Sequence, residues 1–190
     1  MKEVDVKKVF VCAGMGLAKN EDINIQARRL GEILAGNNDI VYVQGGSDQG
    51  LMGETLKSFI KTSNRVEFLI PDRYFEYDSP NLIKLVGEQN FKYSITKGEA
   101  GRLQGIKDCD YIVVLPGGSG TLEELLYCNE TLRSGEHTNK VVIVNIAGYY
   151  NGFLQQLKAM LNEGLFKESA IRFKIVDSVD ELDFNNNLRL

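Results

Sequence analysis

Three observations predict an α/β fold, a doubly wound parallel sheet in three α/β/α layers. Apolar, β-rich runs alternate along the chain with stretches of helical periodicity. The runs are apolar at consecutive positions, as strands covered on both faces must be, whereas a sheet with one wet face alternates. Glycine turns follow three of the runs, at Gly14–Gly16, Gly45–Gly46 and Pro116–Gly118. Ligands of such sheets bind beyond the carboxyl ends of the strands, so all three turns are expected on one edge.

Taken in order, Lys8–Ala13 reads as a buried strand that ends in Gly14-Met-Gly16. Ile23, Ala27, Leu30 and Leu34 follow at i, i+4, i+7 and i+11, one face of a helix. Asp39–Gln44 is the second strand, Leu51–Thr62 a helix, and Arg65–Ile70 a third strand stopped by Pro71. Residues 72–90 are weakly patterned and read as a loop with a short helix. Phe91–Thr96 gives a fourth strand and Glu99–Cys109 a helix despite Gly101 and Gly105. Tyr111–Leu115 and Lys140–Ile146 are further strands, Leu154, Leu157, Leu161 and Leu165 set another helix, and Ile171–Val176 is the last strand. No repeat, low-complexity tract or linker interrupts the series, so residues 1–190 are read as a single domain.

Composition narrows the function. At 190 residues and 43% hydrophobic content, the chain can bury roughly 70% of its unfolded surface without disulfide or metal staples. The net charge of −4 and pI near 5.2 provide no basic field for nucleic acid. Cys12, Cys109 and Cys128 lack a CxxC spacing and read as reduced core thiols, with no metal site. The opening residues carry no apolar leader and no run approaches membrane-spanning length, so no membrane partner and a cytoplasmic location are expected.

The most informative stretch is Pro116-Gly-Gly-Ser-Gly-Thr-Leu-Glu-Glu124. A helix opening near Thr121 directs unpaired amides and the positive end of its dipole outward, and Gly117, Gly118 and Gly120 let a ligand approach the backbone. Ser119 completes the turn. This is an anion cradle suited to phosphate. Thr121 and Glu124 also fit a capping box, which would instead occupy Glu124 with backbone amides. Glu123 and Glu124 point about 100° apart on a helix, so at most one faces the pocket well. Asn129 breaks the stripe of Leu122, Leu125, Leu126 and Leu132; it reads as a satisfied buried amide, with ligand contact as the alternative. Gly14-Met-Gly16 has Lys19 where a dinucleotide fingerprint has its third glycine, and Gln44 and Gly45 stand where a ribose-binding acid belongs. No nicotinamide or flavin cofactor is therefore expected, and a P-loop is excluded by the missing Gly-Lys-Ser/Thr.

Three segments carry a resemblance: Gly45-Gly-Ser-Asp-Gln-Gly-Leu-Met-Gly53, Pro116-Gly-Gly-Ser-Gly-Thr-Leu-Glu-Glu124 and Gly148-Tyr-Tyr-Asn151. In combination and order they resemble the Lonely Guy (LOG) family of phosphoribohydrolases, once labelled lysine decarboxylases, from about residue 8 to 167. The resemblance implies a Rossmann-like homodimer that cleaves the N-glycosidic bond of a nucleoside 5′-monophosphate to free base and ribose 5-phosphate. It implies that the glycine loop holds the phosphate, that Glu124 is catalytic and that Glu123 reaches the ribose. Gly14, Gly46 and Ser47, on the neighbouring turns, join the candidate binding residues.

The chain departs from that family at one motif. Where the family carries Met-His-x-Arg-Lys, with a catalytic arginine, this chain has Lys97-Gly-Glu-Ala-Gly-Arg102. Counted back from Pro116, Arg102 falls on the lysine and Gly101 on the arginine; a one-residue shift lets Arg102 serve as the cation. His137, in Gly135-Glu-His-Thr-Asn-Lys140, reads as loop structure rather than a base. The altered motif opens an alternative: a non-catalytic nucleotide or cofactor carrier, in the way molybdenum-cofactor carrier proteins resemble this fold.

Overall fold

The computed structural model describes residues 6–184. Among them, seven parallel strands lie in the order β4-β3-β2-β1-β5-β6-β7. They are β1 (Lys7–Cys12), β2 (Ile40–Gln44), β3 (Val66–Pro71), β4 (Lys92–Thr96), β5 (Tyr111–Val114), β6 (Lys140–Val144) and β7 (Phe173–Val176). The first four strands step outward from β1 on one side, and the chain then returns to place β5 against β1 on the other. The register Val9–Tyr111 to Cys12–Val114 brings the ends of these two strands level. That reversal of strand order is the crevice where doubly wound sheets hold ligands.

Helices α1 (Glu21–Ala35), α2 (Gly50–Phe59), α3 (Asp72–Val86), α4 (Gly98–Ile106), α5 (Ser119–Arg133) and α6 (Asn151–Asn162) cover the sheet. Strand side chains alternate between two cores. Val9, Val11, Tyr42, Phe68 and Val113 meet α1, α2 and the Leu82–Val86 end of α3. Phe10, Cys12, Val43, Ile112 and Val114 meet Leu103 and Ile106 of α4 and Leu125 and Cys128 of α5. The periodic face expected for α1 is the one it buries, since Ile23, Ala27, Leu30 and Leu34 are all core residues. All three cysteines are free and buried. No described helix is long and apolar enough to cross a membrane.

The structure corrects the reading of residues 72–90, which hold the fifteen-residue helix α3. Phe75, Ser79, Leu82 and Val86 form its inward stripe at helical spacing, with only Phe75 part-exposed. The pattern is obscured because Ser79 is polar and Pro80 follows it. Proline removes the amide that would bond to the Glu76 carbonyl, but both residues are exposed, so the freed acceptor is open to solvent. The leucine stripe of the next-to-last element is also corrected. Leu157 is the buried member, and Leu165 lies beyond the end of α6, 82% exposed. The two edge strands depart from the two-sided apolar pattern as well: β4 is exposed along most of its length and β7 at Lys174 and Ile175.

Helices α1 and α2 cross at Gly31, where an added Cβ would lie 2.3 Å from the Thr55 carbonyl oxygen and 2.8 Å from Ser58 Cβ. Alanine is the better helix former by about 1 kcal/mol, yet forcing a methyl group against rigid backbone costs about 1–3 kcal/mol or more. Overpacking wins. Gly31→Ala is expected to lower the urea midpoint with an unchanged m value; a raised midpoint would show that the crossing can yield.

Candidate active site

The three glycine turns meet at the carboxyl edge, and backbone contacts hold them there. The Gly14 amide donates to the Pro116 carbonyl at 3.1 Å, and the Gly14 carbonyl accepts from Leu51 N at 2.9 Å and Met52 N at 3.3 Å. A Cβ on Gly14 would stand 3.3 Å from Gly117 Cα. Gly50 adopts φ +57° with its Cα against the Met15 backbone, an approach closed to any L side chain. The first amides of α2 are thus spent on Gly14, and that helix offers little to an anion.

Helix α5 differs. It starts at Ser119, two residues before the start expected from the sequence, with Gly118 as N-cap and no side-chain cap bond. Thr121 is therefore inside the first turn, buried beneath Gly117, and the capping box with Glu124 does not form. Gly118, Ser119 and Gly120 face solvent, and a Cβ on either glycine would meet nothing within 4 Å. The amides of the first turn have no acceptor within the helix. An uncapped fifteen-residue helix presents its positive end at the switch point. Tyr149 Oη donates to the Gly117 carbonyl at 2.7 Å and Tyr150 Oη to the Leu115 carbonyl at 2.6 Å, fixing the turn from the β6–α6 side.

A Cβ on Gly117 would lie 2.1 Å from Thr121 Oγ1 and 2.6 Å from Thr121 Cβ. Gly117→Ala must displace the buried threonine or the turn itself. It is expected to cost about 1–3 kcal/mol and to weaken phosphate binding; a thermal melt and a ribose 5-phosphate titration measure both, and an unchanged pair of values would contradict the packing described.

Of the two acids, the structure turns one inward. Glu124 is 4% exposed, whereas Glu123 faces solvent. Arg102 Nη1 of α4 donates to Glu124 Oε1 in a close ion pair, and the Cys12 thiol at the end of β1 also contacts this carboxylate. Arg102 reaches it across the second glycine turn: a Cβ on Gly45 would approach its Nη1 to 3.4 Å. Burial raises the Glu124 pKa, with Arg102 and Cys12 pulling the other way. Burial, reinforced by the Glu124 charge, holds the Cys12 thiol far above the ordinary range, so it remains protonated and donates. Arg102 Nε in turn donates to Glu99 Oε2 at 2.8 Å, and Arg73 Nη2 to Glu99 Oε1 at 2.7 Å. Burial opposes ionisation of Glu99, but Arg73 and Arg102 outweigh it and lower its pKa.

The remaining candidates divide. Gly46 has φ +96°, with Ile70 packed where a side chain would go. Ser47 is buried with its hydroxyl accepting from Gln49 N at 3.2 Å, and Gln44 clamps the turn by bonding both Ser47 backbone groups. Both residues shape the second turn. Asn129 lies ten residues along α5 from the mouth, about 15 Å at the helical rise. Its Oδ1 accepts from Arg172 N at 2.9 Å and its Nδ2 donates to Glu130 Oε1 at 3.3 Å, so its amide is bonded within the fold. His137 bonds Thr131 Oγ1 at 2.7 Å, remote from the turn. Burial lowers its pKa. Sequence reasoning missed Cys12, Glu99, Arg73 and the clamps Gln44 and Asn24; Asn24 holds the loop after β1 through both backbone groups of Ala18, each at 2.9 Å. Among the described residues, no group of three or more His, Cys, Asp or Glu side chains is placed to hold a metal ion.

The sheet order and the helix mouth define a Rossmann-like α/β protein. The chain belongs to the LOG family: the family model described as "Possible lysine decarboxylase" matches residues 51–183. Among curated relatives it is 31% identical over 169 residues to the probable cytokinin riboside 5′-monophosphate phosphoribohydrolase LOGL2 of Oryza sativa subsp. japonica, covering 86% of this chain and 65% of that protein. It is 30% identical over 171 residues to the cytokinin riboside 5′-monophosphate phosphoribohydrolase LOG7 of Arabidopsis thaliana, covering 87% of this chain and 74% of that one. The chain thus spans just under two thirds of the rice relative's length. A molybdenum cofactor carrier protein from Chlamydomonas reinhardtii has the same fold, with TM-score 0.62, 17% identity and 92% of each chain covered.

Proposed function

We propose that the protein hydrolyses the N-glycosidic bond of a nucleoside 5′-monophosphate, of the AMP or cytokinin riboside type, to free base and ribose 5-phosphate. The observation that carries the reading is Glu124: a buried carboxylate, gripped by Arg102, on the second turn of a helix whose open first turn suits a phosphate. The phosphate accepts from the amides of Ser119, Gly120 and Thr121, which places the ribose toward Glu124. As the C1′–N bond breaks, positive charge grows on the ribose ring, as in glycoside hydrolysis. Glu124 stabilises that charge, and Glu123, at the solvent side, reaches the ribose hydroxyls. Water gives its hydroxide to C1′ and its proton to the departing base nitrogen. Arg102 holds Glu124 in place and favours its ionised form, against the effect of burial. The family relatives support this chemistry, and the reading extends to one nucleotide-binding domain working as a cytoplasmic homodimer.

The test is to incubate the protein with AMP, GMP, CMP and cytokinin riboside monophosphates and to follow free base and ribose 5-phosphate by chromatography. Equimolar appearance of both supports hydrolysis. Tight binding without base release supports the second reading, a nucleotide or cofactor carrier. One observation favours that alternative: Arg102 is engaged by carboxylates on both sides and has less charge to offer a substrate.

A further inference from the structure

Arg102, the largely buried cation of the site, is not placed by Glu124 alone. Arg102 has a long flexible stem and a planar head with separate Nε and Nη edges. Its side chain is 13% exposed, and a phosphate bound at the helix mouth would compete with Glu124 for it. A single bond from Nη1 leaves the guanidinium free to rotate toward that anion. Two bonds on different edges do not, and the second is Nε to Glu99 Oε2 at 2.8 Å. Glu99 is fixed in turn by Arg73 at 2.7 Å, and the starts of α3 and α4 are tied together where Gly98 N donates to Asp72 Oδ1 at 3.2 Å. Charges alternate from solvent to core as Arg73, Glu99, Arg102 and Glu124, across three helices, and sum to zero.

We infer that Glu99 is a positioning residue, which pins the Arg102 guanidinium on Glu124 and keeps it out of the phosphate mouth, with Arg73 as the outer stay of the same chain. The kinetic consequence rests on the phosphoribohydrolase reading; the pinning itself does not. Glu124 is faced by Cys12 from β1, Arg102 and Glu99 from α4, Tyr150 from the β6–α6 connection and Cys128 on its own helix. Among these Arg102 is the cation, so its position governs how readily Glu124 ionises.

The experiment follows the Glu124 side-chain carboxyl by carbon-13 NMR titration in the full chain, beside kcat and KM for the nucleotide turned over fastest. In Glu99→Ala, release of Arg102 moves the Glu124 midpoint to higher pH, and kcat falls about 10- to 100-fold, the scale of a misplaced group, with KM little changed. Glu99→Gln keeps an acceptor for Nε but removes a negative neighbour: the midpoint moves to lower pH and kcat stays near the parent value. Glu99→Asp keeps the charge but shortens the reach to Nε; it repeats the upward movement in smaller measure and covers the case in which Glu99→Ala does not fold. A downward movement in Glu99→Ala, matching Glu99→Gln, would make Glu99 only a nearby charge and overturn the inference. If the parent releases no base, the hydrolase reading fails, and the titrations still decide the pinning.

Discussion

Glu124→Gln is expected to abolish base release, lowering kcat by about 10³-fold, the scale of losing one preorganised electrostatic group, while ribose 5-phosphate binds as before. The substitution is nearly isosteric and leaves Arg102 its bond to Glu99, so the helix mouth keeps its amides and its shape. What disappears is the negative charge beside the ring position where positive charge develops. Glu123→Gln is the internal comparison, because that carboxylate lies in water, where its field is weak. Single-turnover assays on both variants separate the roles. Equal losses, or a larger loss at Glu123, would move the chemistry to the solvent-facing acid.

The second large effect is on stability. Arg102→Met leaves the nearly buried Glu124 without its cation, and stranding one member of a buried pair costs about 3 kcal/mol or more. The loss depends on pH, and its sign follows from protonation. Glu124 already has a raised pKa because of burial, and removing Arg102 raises it further. A carboxyl group with a raised folded-state pKa contributes most below its unfolded pKa and loses that contribution as pH rises through the folded value. The variant should therefore lie closest to the parent in acid, where Glu124 is protonated in both, and fall behind toward neutrality. Urea unfolding at one acid and one neutral pH reads the difference. An equal deficit at both values would mean that the cost is lost packing of the arginine stem.

How much of this was legible in the sequence follows from how far each interaction reaches. The α/β order and the α1 face could be read because strands such as Tyr111–Val114 are apolar throughout and Ile23, Ala27, Leu30 and Leu34 keep strict helical spacing. The anion mouth was legible because three glycines in four positions, next to a strand end, have a local meaning. Helix α3 was not, because Ser79 and Pro80 interrupt its inward stripe. The start of α5 was misplaced because Thr121 resembles a cap, whereas the glycine before Ser119 supplies the extended backbone that a cap needs. The chain from Arg73 to Glu124 crosses three helices, and no spacing rule records contacts made by folding alone. Cys12 looked like one more core thiol; only the packing of β1 against α5 brings it to the carboxylate.

A crystal structure of the Glu124→Gln variant with AMP would show where the phosphate is held. Phosphate oxygens are expected about 3 Å from the amides of Ser119, Gly120 and Thr121, with the ribose C1′ turned toward residue 124 and Arg102 still on Glu99. A nucleotide bound elsewhere on the carboxyl edge, with that helix mouth filled only by water, would contradict that placement.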